Sequence, residues 1–399
     1  MGARETAVGI AMDLRKAGHE AFLAGGCVRD EALKRTPNDW DVATSAPPEQ
    51  VNDLFRNTRS VGEAFGVVLV HRDGFITEVA TFRADGPYGD HRRPETVVYT
   101  DALQDAMRRD FTVNGLFRDP ETDQVIDHVD GLADLEAGII RAIGTPADRF
   151  DEDHLRMLRA VRFAAALDFS IDEETAAAVR LHAGSLSGVS RERIGQEMRH
   201  MLQHASAVRA MQLLRELELE STVFGRVPTG DLEHLTAAVH ADLDFVGRLA
   251  ALALDREANV ERIAEQWTPN LTLSNAHRDG VMRVLEIYAQ LLNWGDLAVA
   301  QQRRVAGAPG FVCANALLGV RAPYQTAAVE SAVAPWAASL GGVLPPRLLD
   351  GGAILDAGVP AGPGLGCLLE AIYDAQLDGR VQSVDDAHGL LRSLRAVQD

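Results

Sequence analysis

The 399-residue chain has only three cysteines, Cys27, Cys313 and Cys367, which lie far apart in the sequence. Because their number is odd and their spacing matches neither a metal-ligand pair nor a disulfide framework, we expect free thiols in a reducing cytoplasm. Long hydrophobic runs are also missing, since the longest, at 311–320, is too short to span a bilayer. The first 19 residues alternate in charge and lack an apolar core, so the sequence predicts a cytoplasmic protein without a membrane partner.

Lysine is scarce: Lys16 and Lys34 are the only two, and arginine supplies the other 37 of the 39 basic residues. This bias is typical of certain genomic compositions, but arginine forks also suit phosphate groups and base edges. The net charge of −19 argues against a protein that coats nucleic acid without regard to sequence. Local binding of nucleic acid by clustered arginines is still compatible with it.

The pattern of hydrophobic residues changes along the chain. Hydrophobic content of 46% and charged content of 24% are those of a globular protein. The first part mixes signals for helices at 5–17 and 49–55, strands at 21–24 and 40–42, a hairpin of 67–72 with 75–82, and a polar loop at 84–94. From residue 148 the spacing is almost entirely helical, with Ser190 expected to cap a helix. We therefore predict three regions, 1–147, 148–205 and 206–399.

The strongest local signal is Gly25-Gly26 followed by two aspartates, Asp39 and Asp41. Carboxylates two positions apart on a strand would point to one face and repel each other unless a cation lies between them. Carboxylate oxygens suit Mg²⁺, and a glycine turn lets backbone amides approach a phosphate. The motif therefore predicts a metal–triphosphate site, the alternative being an acidic turn beside an ordinary glycine loop.

A third carboxylate and a group of phosphate ligands follow. Glu78 lies in an apolar strand and is either the third catalytic carboxylate or a residue that faces solvent. Arg109, Asp110 and Asn114 supply a guanidinium fork and hydrogen-bonding groups suited to triphosphate and ribose. Taken alone, this segment also fits a salt-bridged surface turn.

The third cluster spans residues 149–163, where an acidic triplet suits a helix N-terminus. Asp153, Arg156, Arg159 and Arg162 are spaced by three residues and would share one helical strip. An aspartate acceptor and an arginine donor can read the polar edge of a base, while further arginines neutralise phosphates. The alternative is an exposed strip of salt bridges.

Together these segments resemble the class II tRNA nucleotidyltransferases, the CCA-adding enzymes, and the related bacterial poly(A) polymerases. Two further segments fit the same order, 127–134 with Arg141 and Gly144, and 190–197. The resemblance covers roughly residues 20–200. It implies an α+β protein whose polymerase-β-like nucleotidyltransferase head, with a small mixed or antiparallel sheet, precedes a helical neck, body and tail.

The resemblance also implies roles for individual residues. Asp39 and Asp41 would hold Mg²⁺, and Glu78 would complete the carboxylate set. The implied nucleotide-binding residues are Gly25, Gly26, Arg29, Asp30, Arg109, Asp110, Asn114, Asp153, Arg156, Arg159 and Arg162. Among these, Asp153 and Arg156 would select CTP and then ATP, and the segment 84–94 matches a loop that helps the switch. The body and tail would bind tRNA.

The reaction implied is transfer of C, C and A, or part of CCA, from CTP and ATP to the 3′ end of tRNA, with release of pyrophosphate. An A-adding or CC-adding enzyme and a poly(A) polymerase would share the same catalytic head, so the motifs leave these open. A non-catalytic RNA-binding relative is disfavoured, because it would have no reason to keep Asp39, Asp41 and the cluster at 153–156.

Overall fold

A computed structural model describes most of the chain, namely residues 2–61, 66–85, 97–225, 230–256, 260–339 and 341–396. The chain divides into two compact units. The first comprises Met1–Arg226 with Asn270–Thr272, and the second comprises Val227–Pro269 with Leu273–Asp399. The predicted boundary at 147 falls inside the first unit, and the three-part division of the chain stays a prediction.

Strands are confined to the first unit of the described chain. They are β1 Ala21–Ala24, β2 Asp41–Thr44, β3 Thr58–Ser60, β4 Val67–Arg72, β5 Phe75–Thr81, β6 Arg83–Asp85, β7 Val97–Tyr99, β8 Phe117–Arg118, β9 Val125–Ile126, β10 Ile139–Ile140 and β11 Ser170–Ile171. The expected strand at 21–24 and the expected hairpin are confirmed to within a residue. The second strand begins at Asp41 and extends two residues beyond the predicted end.

Helices account for most of the remaining described chain. Up to residue 224 they are α1 Ala3–Lys16, α2 Gly26–Ala32, α3 Pro48–Leu54, α4 Ala102–Met107, α5 Gly131–Ala137, α6 Pro146–Glu152, α7 Arg156–Leu167, α8 Glu173–His182, α9 Arg191–Gln203, α10 Ala207–Glu216 and α11 Glu220–Phe224. Beyond it they are α12 Glu233–His240, α13 Phe245–Leu254, α14 Val260–Asn270, α15 Asn275–Leu292, α16 Val299–Ala306, α17 Phe311–Arg321, α18 Pro323–Ala337, α19 Gly351–Asp356, α20 Pro363–Leu377 and α21 Val384–Ala396. None of the described helices is long and apolar enough to cross a membrane.

The main sheet has seven strands in the order β3-β4-β5-β2-β1-β8-β9. Its neighbours are antiparallel except β2 and β5, which run parallel and set Asp41 opposite Glu78. The hairpin between β4 and β5 turns at Asp73 and Gly74, whose φ angles of +54° and +83° suit a tight two-residue turn. The small mixed sheet followed by helices confirms the predicted α+β fold, with β11 a two-residue exception to the helical remainder.

One face of this sheet is buried against α1. Ile10 and Leu14 of α1, Leu23 of β1 and Val42 of β2 belong to one core cluster and are at most 1% exposed. This packing follows from helical spacing of the apolar residues of α1 and from alternation along the strands. The glycines that follow β1 and the acidic residues of β2 and β5 line a cavity.

Within the first unit, helix α9 is packed closely by a short segment from farther along the chain. A Cβ atom placed on Gly195 of α9 would lie 2.1 Å from the carbonyl oxygen of Leu271. Such an approach needs the missing side chain of glycine. Residues 270–272 therefore complete the packing of α9, although α14 before them and α15 after them belong largely to the second unit.

The second unit is helical throughout its described residues. It buries a polar cluster in which the Nδ1 atom of His234 lies 2.9 Å from Asp255 and the Tyr288 hydroxyl lies 3.4 Å from Nε2 of His234. A separate apolar cluster near the C-terminus includes Ile354 and Leu391. The unit therefore has its own core, as a folded body needs.

Three local expectations are wrong. Asp39 precedes β2 and is exposed, because pairing with the neighbouring strands begins only at Asp41. Asp153 is extended (φ −149°, ψ 101°), since α6 ends at Glu152 and α7 begins at Arg156, so the acidic triplet does not start a helix. Ser190 occupies the position before α9, but its hydroxyl makes no capping hydrogen bond.

Candidate active site

A cavity of about 770 Å³ in the first unit brings together all the predicted site residues. It is lined by residues of β1, β2 and β5, the turn at 112–114, and helices α2, α7 and α9. The predicted residues that line it are Gly25, Gly26, Arg29, Asp30, Asp39, Asp41, Glu78, Arg109, Asp110, Asn114, Asp153, Arg156, Arg159 and Arg162. Residues from distant parts of the sequence therefore share one concave surface, the usual form of a small-molecule site.

Three carboxylates form the acidic wall of this cavity. Burial, Glu78 and Asp39 raise the pKa of Asp41 to about 7. The pKa of Glu78 is also raised, by desolvation and then by Asp39. Because Glu78 and Asp39 oppose the ionisation of Asp41, and Asp39 opposes that of Glu78, the wall favours binding of a cation.

The carboxylate oxygens are hard donors that suit Mg²⁺. In the described parts of the chain, no three His, Cys, Asp or Glu side chains already stand at metal-ligand spacing. Mg²⁺ commonly uses one or two carboxylates together with substrate phosphates and water. The residues present therefore fit a metal bound jointly with a nucleotide, rather than a cage made by protein ligands alone.

Glycine is required where β1 leads into α2. Gly25 has a φ of +75°, and a Cβ atom there would lie 3.0 Å from Nη1 of Arg109. A side chain would therefore strain the backbone and push against this guanidinium. The turn brings Arg29 on α2 to the cavity, where its Nη1 donates to the side-chain oxygen of Asn114 at 2.6 Å.

A chain of hydrogen bonds continues from Asn114 across the cavity wall. The amide of Asn114 donates to Asp110 at 3.1 Å, and Nε of Arg159 donates to the same carboxylate at 2.8 Å. Burial alone would raise the pKa of Asp110, but Arg159, Asn114 and Arg156 lower it to about 2. Asp110 and Asn114 are both at most 9% exposed, so the surface-turn interpretation of this segment is wrong.

Arg109 is fixed by a carboxylate that the sequence reasoning missed. Asp105 is 1% exposed and accepts hydrogen bonds from Nε and Nη2 of Arg109, the latter at 2.9 Å. It also forms a 2.7 Å ion pair with Arg108. Its position four residues before Arg109 on a helix was the available signal.

The segment around 153 is held by α9. The guanidinium of Arg193 donates two hydrogen bonds, of 3.0 and 2.6 Å, to the carboxylate of Asp153. Arg156 donates to Glu152 at 2.7 Å and to the carbonyl oxygen of Arg108 at 3.2 Å. Because Arg156 is only 9% exposed, an exposed strip of salt bridges does not describe this cluster.

Several residues of the cavity wall were not predicted, among them Arg83, Phe163 and His200. Glu197 is not among the residues that line the cavity, but it accepts a 2.7 Å hydrogen bond from Arg162, which is among them. Helical spacing was the available signal for Phe163, four residues after Arg159. Glu197 belongs to the segment 190–197, for which the resemblance implies no individual role.

The loop expected at 84–94 falls mostly outside the described residues, which omit 86–96. Its first two residues belong to β6, which pairs antiparallel with β7. The structure therefore replaces the beginning of the expected loop with a strand, because Ala84 pairs with Val98 across this two-stranded sheet.

Comparison with known families matches two parts of the chain. A model described as the poly A polymerase head domain matches residues 21–141. A second, described as a probable RNA and SrmB-binding site of polymerase A, matches residues 168–227. The first match contains the glycine turn, the three carboxylates and the segment of Asp110 and Asn114.

Two similar proteins extend the comparison to the whole chain. The CCA-adding enzyme of Lactobacillus johnsonii is 33% identical over 405 residues, which cover 96% of this chain and 95% of that protein. The CCA-adding enzyme of Limosilactobacillus fermentum is 34% identical over 392 residues, covering 95% and 94%. The likeness therefore includes both units.

Solved structures show the same architecture. The Bacillus stearothermophilus CCA-adding enzyme in complex with CTP has a TM-score of 0.82 and 27% identity, covering 100% of this chain and 99% of that one. The Thermotoga maritima CCA-adding enzyme complexed with tRNA has a TM-score of 0.71 over 98% and 95% of the two chains. Its 17% identity makes it a comparison of folds alone.

Proposed function

This chain belongs to the family of CCA-adding enzymes, and from that membership we propose that it completes the 3′ end of tRNA, using CTP and ATP without a nucleic-acid template. The observation that carries the proposal is the single cavity in which a three-carboxylate wall meets the predicted nucleotide-binding residues. We also propose the cytoplasm as its location, because its substrates are made there.

We assign the acidic wall to the metal-dependent chemistry. Asp39, Asp41 and Glu78 would hold Mg²⁺, which when bound polarises phosphoryl oxygens and lowers the pKa of a hydroxyl. The 3′ hydroxyl of the tRNA loses its proton to solvent, its oxygen forms the new phosphodiester bond with the α-phosphate, and pyrophosphate leaves with the electron pair of the broken bond. Arg29, which donates to Asn114, and Arg109, which donates to Asp105, would bind the triphosphate.

We assign nucleotide selection to Asp153 and Arg156. Both are held by side chains of this protein, Asp153 by Arg193 and Arg156 by Glu152. This fixes the direction of an acceptor and a donor before a base arrives, which reduces the entropy lost on binding. Arg159 and Arg162, fixed by Asp110 and Glu197, would support the position and charge of the nucleotide.

The decisive experiment uses three tRNA transcripts that end before the first C, before the second C, and before A. Purified protein is incubated with Mg²⁺, CTP and ATP, and products are resolved at single-nucleotide length. We expect all three to be extended to the same CCA end. An unextended set of transcripts would contradict the proposal and favour a non-catalytic RNA-binding protein.

Narrower activities give distinct products in the same experiment. Extension of only the third transcript, by one A, would identify an A-adding enzyme, and extension that stops after CC would identify its complement. An open-ended ladder of A residues would identify a poly(A) polymerase. The relatives described above carry the name CCA-adding enzyme, which favours the complete reaction.

A further inference from the structure

Phe163 on α7 borders the nucleotide cavity and is surrounded by positive charge. The central carbon of the Arg162 guanidinium lies 4.3 Å from the centre of its ring. The corresponding distances for Arg159 and Arg29 are 5.2 and 5.3 Å. All three lie within the range at which the ring quadrupole attracts a cation.

Each of these guanidiniums also has its own carboxylate, which keeps three like charges together around one ring. The three ion pairs are Arg29 with Asp30, Arg159 with Asp110, and Arg162 with Glu197, each at 2.7 Å. Carboxylates can exchange with the phosphates of an incoming nucleotide, since both are anions that bind a guanidinium fork. The ring of Phe163 is not an anion and cannot be replaced by a phosphate in this way. It therefore stays beside all three guanidiniums.

The ring itself is held from the protein interior. Phe111, which is fully buried, packs edge-on against Phe163 with the ring centres 5.9 Å apart. Phe111 immediately follows Asp110 and precedes the turn that carries Asn114. The orientation of Phe163 is therefore tied to the segment that binds Arg29 and Arg159 through hydrogen bonds.

We propose that Phe163 is a positioning residue for nucleotide binding, which holds Arg29 in register with Arg159 and Arg162. Arg29 lies on α2, directly after the glycine turn, whereas Arg159 and Arg162 come from the same helix as the ring. One aromatic side chain thus links Arg29, which we assign to the triphosphate, to the two arginines that we expect to support the position and charge of the nucleotide. This inference rests on the proposed function, since it takes CTP and ATP as the ligands.

The proposal is tested by nucleotide binding measured without tRNA. Phe163→Leu removes the ring but keeps an apolar side chain, and Phe163→Tyr keeps the ring. We expect Phe163→Leu to weaken equilibrium binding of both CTP and ATP about tenfold, since more than one ring–cation contact is lost. Phe163→Tyr should bind both within about twofold of the unchanged protein, and KM for tRNA should stay the same in each variant.

The matched control is Phe169→Leu, because Phe169 is likewise partly buried in the first unit but is not among the residues that line the cavity. Thermal unfolding of the two leucine variants separates loss of packing from loss of positioning. Phe163→Met supplies a second ring-free variant if Phe163→Leu does not fold.

Two results would overturn the proposal. One is nucleotide binding by the folded ring-free variant that equals that of the Phe169→Leu control. The other is equal weakening of nucleotide binding by Phe163→Leu and Phe163→Tyr, which would assign the effect to the shape of the side chain at this position. Protein that binds CTP but extends no tRNA would refute the proposed function while still testing the role of Phe163, whereas protein that binds neither nucleotide would refute both.

Discussion

Asp41 shows how a single residue connects the fold to the chemistry. It begins β2, faces Glu78 across a parallel strand pair, and is only partly exposed. A negative charge there is disfavoured by burial and by two neighbouring carboxylates, which raise the pKa to about 7. An ionised Asp41 is therefore unfavourable in the metal-free protein and becomes favourable when a cation is bound.

This predicts a pH-dependent stability in the absence of metal. In the unfolded chain Asp41 loses its proton near its ordinary pKa of 3.8, whereas in the folded protein it does so near pH 7. Between these values the folded state holds a proton that the unfolded state has released, so rising pH removes stability, by at most about 4 kcal/mol. Melting temperatures with a chelator should therefore fall between about pH 4 and 7.

Mg²⁺ should restore part of the lost stability at pH 8, because it binds the ionised carboxylates. Asp41→Asn is the control, since it cannot titrate, and its melting temperature should change less with pH. If the melting temperatures of this variant and of the unchanged protein change equally with pH, the assignment of the pH dependence to Asp41 is contradicted.

Asp39→Ala should abolish nucleotide incorporation. The side chain is exposed, so its removal takes away a metal ligand with little loss of packing. We expect a fall in rate of at least about a thousandfold, with tRNA binding in a filter assay nearly unchanged. Asp53→Ala removes an exposed carboxylate from α3 and serves as the control. Full activity of Asp39→Ala would refute its role as a ligand.

Arg156→Ala should reduce the discrimination between CTP and ATP more than it slows the reaction. A guanidinium that pairs with a base edge contributes discrimination of roughly tenfold or more. Misincorporation is measured on the transcripts that end before C and before A. Arg156→Lys keeps the charge but loses the fork, and should be impaired in the same way. An unchanged preference in both variants would exclude this role.

The sequence predicted residue types better than it predicted their partners. Whether Glu78 faces the site or the solvent could not be predicted from its strand alone. Its placement depends on pairing with β2, a contact between distant segments. Asp153 was placed on a helix by its spacing from Arg156, but a turn intervenes and Arg193 binds it instead. Phe163 was passed over because an apolar residue on a helix usually lies in a core.

At the scale of elements, α5 supports the turn that carries Asn114. Gly131 begins α5, and a Cβ atom there would lie 2.3 Å from the carbonyl oxygen of Thr112. Gly131→Ala should therefore displace this turn, lower the free energy of unfolding by about 1–3 kcal/mol, and weaken binding of CTP. Denaturant unfolding and equilibrium dialysis measure the two effects.

Gly188→Ala is the control for that variant, since an added methyl group there meets no described atom within 4 Å. The prediction is wrong if the two alanine variants are equally stable and bind CTP equally well.

Local elements were predictable where a local rule decides them. The Asp73-Gly74 turn, the two strands around it and α1 follow from turn chemistry and periodicity. The two-residue strands β8, β10 and β11 have no such signal, because each depends on a partner elsewhere in the chain. The same reason explains why the parallel pairing of β2 with β5 was not foreseen.

At the scale of the whole molecule, the charge of −19 predicts selective rather than general binding of RNA. Net negative charge opposes attraction of any polyanion, so affinity has to come from the shape of the RNA and from local arginines. At about 150 mM salt we expect at least about tenfold tighter binding of tRNA lacking CCA than of unstructured RNA of equal length. Equal affinities in a filter assay would contradict this.

The return of residues 270–272 to helix α9 has a consequence for how the protein is made. A ribosome releases the acidic wall of the cavity first, the arginines of α7 much later, and Arg193 and Glu197 of α9 last. Even then, the backbone at Leu271 that packs against Gly195 is still inside the ribosomal tunnel or unmade. The packing of α9, which borders the cavity, is thus completed late in translation, after all of α14 has been synthesised, and nascent chains released before that point would lack the backbone that packs against Gly195.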